Sequence, residues 1–219
     1  MITNFKKMDV LWPTLVFTYE YEKYWQDKES LISEIYREAD LQETPIDSNI
    51  APTIKNNIKE SKFDFLAREK PAIKKLRQFF EQSLGHLITQ ALPASGYYSL
   101  TDDKIGCKIK ESWYHIANND GRHGVHIHPN TSWAGIFYVQ TGDCNMDTLN
   151  GINSMFNFNL TTIQGDPGVE WVGQPAHSFD PKEGQLLLFP GWVPHEATPY
   201  KGEKDRIIVS ANSNFYYER

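Results

Sequence analysis

The sequence predicts a mainly β architecture, an antiparallel sandwich or barrel supported by two helices on its N-terminal side. Three observations carry this. Two apolar stripes of helical period fall before Gly96, and that period disappears after it. Beyond Gly96 come short runs rich in β-branched and aromatic residues, separated by Gly, Pro, Asn and Asp. Strands do not alternate with helices there, so βαβ units are not expected.

The elements follow in chain order. Asp9 to Phe17 (DVLWPTLVF) is apolar and carries a proline, which suits a first or edge strand. From Asp27 to Ala39, the residues Leu31, Ile32, Ile35, Tyr36 and Ala39 keep a helical period. Residues 43–70 are polar and irregular and read as a long connection with one helical turn. After Pro71, the residues Leu76, Phe79, Phe80, Leu84, Leu87, Ile88 and Leu92 form one stripe, which Pro93 closes. The β-type runs are 108–117, 123–129, 132–140, 154–160, 169–173, 185–191 and 206–217. With no repeat, low-complexity tract or linker, residues 1–219 read as a single domain. Residues 1–96 supply a helical support with an N-terminal strand, and 97–219 the β-rich core.

Composition narrows the function. The net charge is −6 and no block of Lys or Arg occurs, which argues against nucleic acid or an anionic membrane as partner. No run approaches the ~20 apolar residues of a membrane helix, and the N-terminus lacks signal-peptide features. Cys107 and Cys144 are too few for a disulfide framework and suit a reducing compartment, so the expected location is cytoplasmic.

Chemistry concentrates in HGVHIHP, where three of the seven histidines fall between His123 and His128. Alternation along a strand sends His126 and His128 to one face and Ile127 to the other. Two imidazoles on one face can share a metal ion, although alone they are as well read as polar positions on a wet strand. Downstream, QLLLFPGWVPH holds a Pro/Gly-bracketed turn able to point His195 inward. Eleven residues further, Arg206 opens RIIVSAN, whose alternate positions Arg206, Ile208, Ser210 and Asn212 share a face. A guanidinium at such a strand's mouth forms a salt bridge, faces solvent or serves as a fork for a carboxylate.

The ordered set HIHPN (126–130), AGIFYV (134–139), LLFPGWVPH (187–195) and RIIVSAN (206–212) resembles the 2-oxoglutarate- and Fe(II)-dependent oxygenase superfamily. It is most similar to the branch patterned His-x-His-Pro, Leu-Phe-Pro-x-Trp-x-x-His and Arg-x-x-x-Ser-x-Asn. The resemblance spans residues 107–215. It implies a double-stranded β-helix, the jelly roll or cupin-like barrel, as the catalytic core. It further implies Fe(II) held by His126 and His195 together with the residue at 128. It places 2-oxoglutarate as cosubstrate on Arg206, aided by Ser210 and Tyr138. The activity implied is a dioxygenase that hydroxylates its substrate and releases succinate and CO2, with a small molecule or peptide as substrate.

One position departs from the superfamily: where Asp or Glu completes the iron site, this chain has His128. Three-histidine ligation is the preferred reading. Asp143, Asp147 or Asp180 reaching in from a loop, or His128 standing behind a water, are its alternatives. His115 is expected to line the pocket and His123 to lie at the surface. Trp113, Trp133, Trp171 and Trp192 could wall the cavity or sit in the core. A cupin-type three-histidine dioxygenase without 2-oxoglutarate, and a jelly-roll binding protein without catalysis, are the rival functions.

Overall fold

The computed structural model describes residues 14–41, 55–94, 104–157 and 176–218. In chain order the elements are β1 (Phe17–Glu20), α1 (Tyr24–Leu41), β2 (Lys55–Glu60), a 3-10 turn (Phe65–Ala67), α2 (Pro71–Ala94) and β3 (Lys104–His126). There follow β4 (Trp133–Gln140), β5 (Asn153–Phe156), β6 (Ala176–Phe179), β7 (Gln185–Pro190), β8 (His195–Tyr200) and β9 (Arg206–Glu218). The strands pair antiparallel in the order β1-β7-β4-β9-β3-β8-β5-β6, with β2 added to β3. The result is a curled jelly-roll sheet with α1 and α2 on its outer face, as the sequence leads one to expect.

The two faces are sorted by alternation. On β9, Ile207, Val209 and Ala211 join Phe137 and Val139 of β4, Leu186 and Leu188 of β7, and the helix residues Leu31, Ile35, Ile73, Leu76 and Phe80 in one outer core. The intervening Ile208 packs inside with Ala134, Ile136, Tyr138, Leu187 and Phe189. Period-2 strands buried on both faces read as near-continuous apolar runs, which is what GIFYV and QLLLF are. Phe137 is the hub of the outer core. It is fully buried, with Tyr21, Tyr24, Phe79 and Phe80 all within 6.3 Å, centroid to centroid. Phe137→Ala is expected to cost ~3–5 kcal/mol in chemical denaturation, the usual range for emptying such a site.

Several sequence readings change. The first strand lies at 17–20, and residues 9–13 of the expected run are outside the described residues, as is the expected strand at 169–173. Asn118-Asn119-Asp120-Gly121 reads as a turn between two strands, yet β3 runs straight through it. Asn119 and Asp120 adopt positive φ of 49° and 63° there, bending the strand without ending it. The bend lets one strand serve two walls: residues 104–117 pair with β9 and 121–126 pair with β8. Within the 43–70 connection, KNNIKE forms β2 by pairing with β3, a tertiary contact that its polar sequence does not announce. β6 and β8, read as loop, are short strands, and α2 continues through Pro93 to Ala94.

Candidate functional site

His126 ends β3 and His195 begins β8, and the two are direct partners in the β3–β8 ladder. His128 follows in the loop, where its N–H donates to the Gly191 carbonyl at 2.8 Å. The Pro190–Pro194 turn that delivers His195 is closed by a bond from Val193 N–H to Pro190 O, 3.0 Å. A Cβ at Gly191 would lie 2.4 Å from the Thr131 carbonyl, so glycine lets this turn press against the segment following His128. The rings converge: His126 to His195 is 4.2 Å between centroids, and Nε2 of His128 lies 3.2 Å from Nε2 of His195. One ring nitrogen from each of the three sits within 4.8 Å of the other two.

The proton positions suit ligation. His126 Nδ1 meets Gly124 O at 2.8 Å and His195 Nδ1 meets Val193 O at 2.9 Å. A carbonyl can only accept, so each Nδ1 carries the hydrogen and each Nε2 keeps its lone pair. Burial first, and neighbouring imidazoles second, push His126 down to about 2 and His128 down to about 3; burial also lowers His195. All three are therefore neutral near neutral pH, the state a metal ligand needs. Asn212 Oδ1 is buried with no hydrogen-bond partner among the described residues, yet its side chain favours a proton on His128. It is a ready acceptor for that ring once Nε2 is engaged elsewhere.

His123 lies inside, contrary to its expected surface position, and is only 9% exposed. Between the His123↔Ala197 and His126↔His195 pairs, β3 advances three residues while β8 advances two. The extra residue puts His123 and His126 on one side, against simple alternation. Their rings stack at 3.6 Å, and His115 meets His123 edge-on. His115 lines the cavity as expected, and its Nε2–H donates to Glu60 Oε2 at 2.5 Å. Burial alone would raise Glu60, but His115 and Lys55 hold it down at about 2, so a buried carboxylate stands behind the histidines. Burial keeps His115 itself neutral.

Arg206, 3% exposed, sits one inward position deeper on β9 than Ile208, which lines the cavity with Ser210. Its Nε donates to Gly151 O at 2.9 Å and its Nη2 to Asn153 Oδ1 at 2.6 Å. Among the described residues no carboxylate pairs with it. Tyr138 is fully buried under the guanidinium, 5.8 Å from ring centroid to Cζ, and its hydroxyl donates to the same Asn153 oxygen at 3.0 Å. The structure thus gathers Arg206 and Tyr138 on Asn153, a residue with no distinguishing signal in the sequence.

The cleft encloses about 360 Å³, counting the part open to solvent, and is lined by Trp113, the four histidines 115, 123, 126 and 128, Gly135, Ile136, Asn153, His195, Glu196, Ala197, Ile208 and Ser210. Trp113 stacks on His128 at 5.8 Å. Trp133 belongs to the outer core, Trp192 is 61% exposed, and Trp171 lies outside the described residues. Among the described residues the three histidines are the one cluster close enough to hold a metal, and it includes none of Asp143, Asp147 and Asp180. Asp143 instead accepts the Glu203 N–H at 2.7 Å.

Residues 111–212 match the family described as "Putative 2OG-Fe(II) oxygenase". The matched segment belongs to the 2OG-Fe(II) oxygenases. In fold the chain is similar to a Pseudomonas putida prolyl-4-hydroxylase, at 15% identity, TM-score 0.54, and 93% and 92% of the two chains covered. A Trichoplax adhaerens prolyl hydroxylase, in complex with a hypoxia-inducible-factor peptide fragment, gives 10% identity and TM-score 0.57 over 90% and 82%. HygX from Streptomyces hygroscopicus, with nickel and 2-oxoglutarate bound, gives 11% and 0.56 over 92% and 83%. No curated protein matches the chain by sequence.

Fe(II) and 2-oxoglutarate are the metal and cosubstrate of this oxygenase family. The donor set fits an oxygenase iron. Nitrogens ~2.1 Å from a common ion and ~90–109° apart would be about 3.0–3.4 Å from each other, which brackets the 3.2 Å between His128 and His195. No helix of the described residues is long and apolar enough to cross a membrane.

Proposed function

We propose that this protein is an Fe(II)- and 2-oxoglutarate-dependent hydroxylase, with iron on His126, His128 and His195 and the distal carboxylate of 2-oxoglutarate on Arg206, Ser210 and Tyr138. The observation that carries the reading is the convergence of three neutral imidazoles on a cleft whose next layer holds a buried arginine with no carboxylate partner among the described residues. Iron and 2-oxoglutarate, when bound, supply a two-electron oxidation coupled to decarboxylation to succinate and CO2. The chain's own residues do the rest. The carbonyls of Gly124 and Val193 fix the tautomers of His126 and His195, keeping both Nε2 atoms forward. Arg206 and Tyr138 offer a guanidinium and a hydroxyl from a layer closed to water. Trp113 and Ile136 wall the cleft and exclude solvent from the reacting centre.

Three imidazoles carry no negative charge, so the iron depends more on an anionic cosubstrate and on Glu60 behind His115 than a carboxylate-ligated site would. The substrate is a peptide side chain or a small molecule. Among proteins of similar fold, one is in complex with a peptide fragment and another has hygromycin B bound. The same charge-free donor set also favours the cupin-type reading without 2-oxoglutarate. Fe(II)-loaded protein given 2-oxoglutarate and oxygen is expected to form succinate slowly without any prime substrate. Oxygen uptake that does not depend on 2-oxoglutarate would replace this reading with the cupin-type one.

A further inference from the structure

We propose that Asn153 is a built-in competitor of 2-oxoglutarate, its side-chain oxygen occupying the place that a carboxylate oxygen of the cosubstrate takes when bound. The inference rests on the reading of Arg206 as the carboxylate anchor. Asn153 Oδ1 accepts from both Arg206 Nη2, at 2.6 Å, and the Tyr138 hydroxyl, at 3.0 Å. Those are two of the donors assigned to the distal carboxylate, and one oxygen satisfies both. The carboxamide is held in this orientation because Asn153 Nδ2 donates to the Glu196 carbonyl at 3.2 Å, which leaves Oδ1 toward the donors. Asn153 lines the cleft, while Arg206 and Tyr138 lie behind it. A diacid entering from the histidine side therefore meets the carboxamide before it meets the guanidinium.

The arrangement has a physical rationale. A guanidinium 3% exposed and a phenol fully buried would each be costly to leave without an acceptor in the ligand-free protein. A neutral oxygen satisfies them well enough to keep the pocket formed, and an ionised carboxylate, accepting charge-assisted bonds from both, outcompetes it. Asn153 begins β5 and is anchored by pairing with Phe179 of β6 and Ala197 of β8, so the exchange needs only rotation of its side chain.

The test pairs affinity with stability, because the competitor role moves them in opposite directions. In Mn(II)-loaded protein, with 2-oxoglutarate itself as the titrant, Asn153→Ala is expected to bind roughly ten- to a hundred-fold more tightly than wild type. Its ligand-free melting temperature should fall by several degrees, since two buried donors lose their acceptor. Asn153→Asp is expected to do the reverse, pairing permanently with Arg206, raising the ligand-free melting temperature and abolishing 2-oxoglutarate binding. Should Asn153→Ala not fold, Asn153→Ser, too short to span to both donors, serves in its place with the same expectation. If Arg206→Ala loses binding while the Asn153→Ala or Ser variant binds no more tightly than wild type, the competitor is refuted and the anchor stands. Asn153→Asp binding like wild type would refute it equally. If Arg206→Ala binds like wild type, the anchor fails and this inference fails with it.

Discussion

Arg206→Ala is expected to weaken 2-oxoglutarate binding by about 30- to several-thousand-fold, the range that losing a buried charge-assisted interaction of ~2–5 kcal/mol produces. The guanidinium is 3% exposed, and among the described residues it donates to two neutral oxygens, on Gly151 and Asn153. Arg206→Lys should recover little, because an ammonium lacks the planar fork that meets two carboxylate oxygens at once. Iron binding should survive in both variants, since Arg206 is not in the histidine cluster. Titration of 2-oxoglutarate into anaerobic, metal-loaded protein measures this, and unchanged affinity would remove Arg206 from the site.

His195→Ala and His126→Ala are each expected to abolish stoichiometric Fe(II) binding while leaving the protein folded. Removal of either takes one of three converging nitrogens from a site with no other cluster among the described residues to replace it. Both side chains lie at strand ends, away from the outer core around Phe137, so unfolding by denaturant should change far less than iron content. His128→Asp should retain iron, because it returns the missing negative charge to the position where the resemblance expects a carboxylate. Metal analysis after gel filtration reads all three variants. Wild-type iron content in the alanine variants would overturn the assignment.

Much of the candidate site's layout was legible in the sequence, for reasons that are local. His126 and His128 are two residues apart, Arg206, Ile208 and Ser210 alternate on one strand, and the Pro-Gly turn before His195 is written in its own residues. Such features need only the period of a strand and the chemistry of a turn. What escaped depends on pairing between distant segments. His123 is expected at the surface, and simple alternation would set it on the opposite side from His126. The extra residue in β3 that brings it in becomes visible only against β8. Glu60 sits in a polar strand that forms because β3 offers an edge, and Asn153 acquires meaning from Arg206, 53 positions away. The division of residues 118–121 into a turn failed for the same reason: NNDG bends the chain, and neighbouring strands decide whether a bend is also an end.

The sorting of β9 into an outer row, Ile207, Val209 and Ala211, and an inner row, Arg206, Ile208 and Ser210, has a consequence for how this protein can change. Neighbouring letters of one strand answer to different demands. The odd positions must match helices α1 and α2 in volume, while Ile208 and Ser210 face the cleft and can change in shape without disturbing that fit. A lineage could thus drift to new substrates by substituting cleft-lining positions such as Trp113, Ile136 and Ile208, with the helical layer absorbing none of the change. Saturation libraries confined to Trp113, Ile136, Ile208 and Ser210 should therefore yield a far larger soluble fraction than libraries of equal size at Tyr114, Phe137, Ile207 and Val209.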